Sequence, residues 1–70
     1  MILIYSHKRI ALGLNMFEFT SIDRHNKKTT GTGVTNIRNK ITLITSGYKS
    51  NKYNTLTERE AVEKFITEVN

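Results

Sequence analysis

One stretch near the C-terminus sets the terms for everything before it. In "TLTEREAVEKFITEVN", Ala61, Val62, Phe65, Ile66 and Val69 recur at the i, i+1, i+4, i+5, i+8 spacing of a single helical face. Thr57 followed three residues later by Glu60 has the form of a capping box, and Leu56 is placed to staple onto Ala61. Glu58 and Glu60 complement the positive end of the helix dipole. The spacing predicts a helix over about residues 58–69. A single amphipathic helix cannot hide its apolar face alone, so the preceding residues must provide a surface for it to cover.

Those residues read as strands. "NMFEFTSID" sets Phe17 and Phe19 against Glu18 and Thr20, "KKTTGTGVT" is rich in Thr, and "RNKITLITS" sets Ile41 and Leu43 against Lys40 and Thr42. "MILIYS" reads as a short apolar strand. In "HKRIALGLN" the alternation of Ile10, Leu12 and Leu14 slips phase before Phe17, as a bulge or turn near Gly13 to Asn15 would cause. The expected strands are about 2–6, 10–23, 28–35 and 40–46. With a first turn inside Arg24–Lys27, Phe17 faces Val34 and Phe19 faces Thr32. With a second at Ile37–Arg38, Val34 faces Ile41 and Thr32 faces Leu43. The helix-facing surface would then collect Phe17, Phe19, Val34, Ile41 and Leu43. The open face would collect Glu18, Thr20, Thr29, Gly31, Gly33, Lys40 and Thr42, with Ile22 and Ile44 as its apolar members. The expected fold is α+β: one domain over residues 1–70, a three- to four-stranded antiparallel meander covered on one face by a C-terminal helix.

Size narrows the means of support. A 70-residue chain buries only about 60% of the surface it exposes when unfolded. With no Cys it has neither disulfides nor a thiolate zinc site, and homodimerisation would add buried area. The opening "MILIYSHKR" is too short to span a bilayer and carries its cations after its apolar run, unlike a signal peptide, so an intracellular, cytoplasmic setting is expected.

The net charge is +5, unevenly placed. Residues 1–54 hold nine Lys and Arg against Glu18 and Asp23, whereas residues 55–70 hold Arg59 and Lys64 against four Glu. A field of that sign draws polyanions or acidic protein surfaces and excludes a DNA mimic.

Two stretches carry candidate chemistry. "IDRHNKKTTGTG" places Asp23 and His25 beside cations and ahead of a Gly-Thr-Gly. A ββα metal nuclease would need a helix soon afterwards to complete its ligands, yet the next helix is expected about 30 residues on and offers Glu alone. A phosphate loop would need Gly-rich turns opening a helix, and this stretch opens a strand. It therefore reads as a hairpin tip, with Asp23 accepting hydrogen bonds from its own turn and Arg24, His25, Lys27 and Lys28 forming a cationic finger. "SGYKSNKYN" interleaves Tyr48 and Tyr53 with Lys49 and Lys52, the mixture that contacts phosphates and stacks on bases, while Tyr53 is suited to anchor the loop on the core. Arg38 and Lys40 add charge, and on the expected register Lys40 stands on an open sheet face with glycines at its middle, a surface fit for a major groove. Strands plus a C-terminal helix are similar in outline to the arm-type DNA-binding domains of tyrosine recombinases, a likeness of outline with no shared motif.

No nucleophile–base pair, carboxylate dyad or metal cluster stands out, so the expectation is a non-enzymatic basic binding protein without cofactor or metal. Arg24, Lys27, Lys28, Arg38, Lys40, Tyr48, Lys49 and Lys52 are expected to meet DNA or RNA phosphates. The alternative is an inhibitor or adaptor of the phage or mobile-element type that turns the same cations on an acidic surface, or on a nucleic-acid-binding groove, of a larger protein such as a defence nuclease.

Overall fold

The computed structural model describes residues 1–69. Five strands follow in order, β1 (Ile2–Ala11), β2 (Leu14–Ile22), β3 (Lys28–Asn36), β4 (Ile41–Ser46) and β5 (Lys49–Tyr53), and then the helix α1 (Glu58–Val69). Each strand pairs antiparallel with its predecessor in a β1-β2-β3-β4-β5 meander, and α1 packs across one face. The α+β architecture and the helix limits agree with the sequence reading; the strand count is one higher.

The extra strand, β5, lies in a stretch expected to be a loop. A two-residue turn creates it: Gly47 adopts φ +60, as the first position of a II′ hairpin requires, and Ser46 pairs with Lys49. At the other end of the meander the expected strand 10–23 is divided. Ala11 pairs with Leu14 across a turn in which Gly13 takes φ +76, and β1 runs back from it with a bulge at Ser6, where φ is +58.

The register also differs from expectation, and the difference inverts both faces of β3 and β4. Phe17 pairs with Gly33 and Phe19 with Gly31, one residue away from the expected Phe17–Val34 and Phe19–Thr32 pairs. The loop Asp23–Lys27 sets this, closing on an Ile22–Lys28 pair. On the far side Val34 pairs with Leu43 and not with Ile41, because the turn spans Ile37–Lys40. Steric fit explains why the glycines belong under the aromatics. A Cβ on Gly33 would stand 2.6 Å from Phe17 Cε2, and one on Gly31 would stand 2.7 Å from Phe19 Cε1. Only hydrogen leaves room for rings lying flat across β3.

The helix-facing surface is therefore Ile2, Ile4, Phe17, Phe19, Gly31, Gly33, Ile44 and Tyr53, with Thr35 and Thr42 buried beside them. Against it α1 inserts Ala61, Val62 and Phe65, with Phe65 edge-on to Phe19 at 6.3 Å between ring centroids. The buried Thr42 hydroxyl donates to the Thr55 carbonyl at 2.7 Å, and no described buried side-chain polar atom lacks a hydrogen bond. The helix start is built differently from the expected box. Thr55 supplies the hydroxyl, accepting from the Thr57 amide at 3.1 Å and donating to the Glu60 carboxylate at 3.1 Å. Leu56, expected as the staple, stays 43% exposed. Among the described residues no helix is long and apolar enough to cross a membrane.

Candidate nucleic-acid interface

Strand order decides which cations meet. The β2–β3 and β4–β5 turns lie at the same end of the sheet, and the β1–β2 and β3–β4 turns lie at the other. Arg24, Lys27, Lys28, Tyr48 and Lys49 therefore gather at one end. Arg38 and Lys40 sit in the β3–β4 turn at the opposite end, about 27 Å away along the eight steps of β3. Lys52 belongs to neither group: it pairs with Leu43 on the face away from the helix. The eight candidates thus form no single footprint, and Lys40, expected on the open face, instead holds the turn with φ +55.

The hairpin end is well built. Asp23 Oδ1 accepts from the amides of His25 at 2.8 Å and Lys27 at 2.9 Å. The Asp23 amide donates to the Lys27 carbonyl at 3.1 Å, and Asn26 takes the left-handed φ of +61 that Asn tolerates. The Lys27 amide chiefly holds the Asp23 carboxyl below the usual carboxylate range; desolvation opposes it, and the His25 amide and the His25 and Lys27 charges add smaller lowering effects. Asp23 is thus the turn's acceptor, as its sequence position implied. Beside it the Gly47–Tyr48 turn is tied back by Ser46 Oγ donating to the Thr30 carbonyl at 2.5 Å.

From this frame the side chains project in different directions. Lys27 and Lys49 border a shallow depression with Thr29, Ser46, Phe65 and Val69 beside the end of α1. Lys28 alternates to the other face with Ile22. Tyr48 is fully exposed at the hairpin tip. Glu58 meets His7 at 2.8 Å and Glu60 meets Lys64 at 3.5 Å; both contacts are made by the helix and neither involves Arg24, Lys28 or Lys49. Tyr53, by contrast, is buried: its hydroxyl donates to Glu68 at 2.7 Å, which matches the anchoring role. Burial first, and then Glu68, push its pKa up.

The second surface is one that residue-by-residue reading overlooked. With the register as observed, the open face carries Leu14, Met16, Val34, Ile41 and Leu43, all half-buried, where glycines and threonines were expected. Glu18 stands exposed next to this patch, and Lys8 and Lys52 flank it. The signal was present in "VTNIRNKITL", whose apolar residues can line either face depending on turn length. Among the described residues no three His, Cys, Asp or Glu come close enough to hold a metal. Comparison with family models, curated proteins and solved structures finds no match for the chain.

Proposed function

We propose that this chain is a non-enzymatic binding protein that takes the phosphate backbone of DNA or RNA at the hairpin end of its sheet. What supports the reading is that the two turns at this end of the sheet bring Arg24, Lys27, Lys28 and Lys49 to the same end as the exposed ring of Tyr48. Guanidinium and ammonium groups neutralise phosphates, and an exposed aromatic on a rigid turn stacks on an unpaired base. The open sheet face is a poor groove reader, because its centre is apolar and Glu18 adds a like charge to any phosphate. Contact is therefore end-on.

Fluorescence anisotropy with duplex and single-stranded oligonucleotides between about 50 and 200 mM salt tests this. Four cations neutralising phosphates would give a log–log slope of about −3.6 on duplex and about −2.8 on single strands. Lys28→Glu with Lys49→Glu should flatten the slope and leave the thermal melt in place. Absence of binding at low salt, or affinity indifferent to salt, overturns the reading.

A further inference from the structure

We infer that the open face of the sheet is a docking surface for an acidic amphipathic helix of another protein, laid across the strands from Lys8 to Lys52. The inference concerns a surface separate from the hairpin end and stands without it.

The chain's own construction supplies the pattern. On the covered face, the two edge strands grip glutamates of α1: His7 on β1 meets Glu58 at 2.8 Å, and Asn51 on β5 donates to Glu68 at 2.8 Å. Between these grips lies the apolar floor of Phe17, Phe19 and Ile44. The next residue along each edge strand points to the other face, and those residues are Lys8 and Lys52. Between them in one row run Met16, Val34 and Leu43, with Leu14 and Ile41 in the adjoining row. Both faces therefore have the same plan, an apolar centre with polar grips at the two edges. One face is already filled by an acidic amphipathic helix, and the other is open, with stronger cations at its rims.

The dimensions suit one helix. Lys8 and Lys52 are four strand spacings apart, roughly 19 Å, which about 13 residues of helix span. A helix crossing the strands as α1 does on the other face would rest apolar side chains in the depression of about 200 Å³ formed with Leu14, Val34, Ile41, Leu43 and Lys52. Carboxylates near its two ends would reach both lysines. A second copy of the chain fits worse, since a face-to-face pair would crowd four lysines and two Glu18 side chains between subunits of net charge +5. Nucleic acid fits worse too, because phosphates find no partner over Met16, Val34 and Leu43.

The test uses an amphipathic peptide of about 18 residues, five turns of helix, with Leu at i, i+3, i+4 and i+7 and Glu near both ends of the apolar stripe. It is titrated into the full chain labelled for backbone amide NMR. Shifts centred on Met16, Val34, Leu43 and Lys52 are expected, with affinity weakened about tenfold or more by Lys8→Glu plus Lys52→Glu. Both lysines are exposed, so the melting temperature should hold; Leu43→Asp is the second variant and should weaken affinity likewise. The inference is overturned by no binding at about 1 mM peptide, by a scrambled peptide of equal composition binding as well, or by shifts confined to residues 23–28 and 47–49. It is also overturned by duplex DNA shifting this face, or by self-association that Leu43→Asp abolishes.

Discussion

Replacing Gly33 by Ala tests the register on which every surface above depends. The added methyl would meet Phe17 at once, standing 2.6 Å from its Cε2 with two further ring atoms at least as close. Phe17 is fully buried in the core it shares with Phe19, Phe65 and Val62, so the ring has no empty space to enter. Overpacking of this kind costs typically about 1–3 kcal/mol. Relief of glycine's extra unfolded-state freedom returns about 0.5–1 kcal/mol. A net loss of about 1–2 kcal/mol remains, which in a domain this small lowers the melting temperature by roughly 4–16 °C. Circular dichroism melts and urea titration measure it. If Gly33 instead lay on the open face, as the alternation alone suggested, the same substitution would be neutral or stabilising by a few tenths of a kcal/mol. A double-mutant cycle sharpens the result. Phe17→Leu removes the ring atoms that clash, so combining it with Gly33→Ala should cost less than the sum of the two by about 1 kcal/mol or more. Additive losses, or a Gly33→Ala protein as stable as the parent, refute the packing of Phe17 across β3.

Three further outcomes follow from the same structure. Because the Asp23 carboxyl is held below its ordinary range, its ionised form stabilises the fold above that range and the contribution fades as pH falls; the melting-temperature deficit of Asp23→Ala should therefore be largest near neutrality and shrink below about pH 4. A deficit constant with pH would remove the charge from the argument. The raised Tyr53 pKa has the opposite sign, giving stability present below about pH 10 and lost as pH rises beyond it. Tyr53→Phe should cost about 1–2 kcal/mol at neutral pH and flatten this alkaline limb, as a pH series of urea unfolding curves would record. Lys40→Gly exchanges a strained left-handed lysine for a residue at ease there, worth roughly 1–2 kcal/mol, against about 0.5–1 kcal/mol of extra unfolded-state freedom; melts should show unchanged or slightly raised stability.

The helix was readable because its face repeats over three turns, with Ala61, Val62, Phe65, Ile66 and Val69 all apolar and all packed against the sheet or buried in it. The strands were readable as strands, but their faces were not. Met16 and Phe17 are both apolar neighbours, so β2 fits either phase, and the deciding partner was the absence of a side chain at Gly31 and Gly33. A four-residue turn, Arg24–Lys27, in place of the observed five-residue loop Asp23–Lys27 gives the neighbouring register. β5 has no apolar alternation before Tyr53, and only the Gly at position 47 marks its turn. Of the candidate site, the cationic hairpin and the exposed Tyr48 were visible in the sequence. Which residues share an end of the sheet follows from the antiparallel order alone, which sets Tyr48 and Lys49 at the end of Arg24 and Lys28 and Arg38 and Lys40 at the other; what β5 adds is a hairpin that fixes Tyr48 in a two-residue turn.

This division of charge has a measurable consequence that composition alone would get wrong. Seven lysines and arginines acting as one phosphate-binding surface would give a salt slope of about −6 on duplex DNA, whereas the four at the hairpin end give about −3.6. The sheet itself keeps the groups apart: a duplex reaching from Lys28 to Arg38 would have to lie over Glu18 and the apolar patch around Val34. Substitution at the two ends should therefore be unequal. Arg38→Ala and Lys40→Gly together should leave the slope where it was, while Lys28→Glu and Lys49→Glu reduce it by about one unit for each phosphate no longer neutralised. Equal effects from the two pairs would mean that the polyanion spans the sheet. In that case the open face would belong to nucleic acid and could not serve as the seat of an acidic helix.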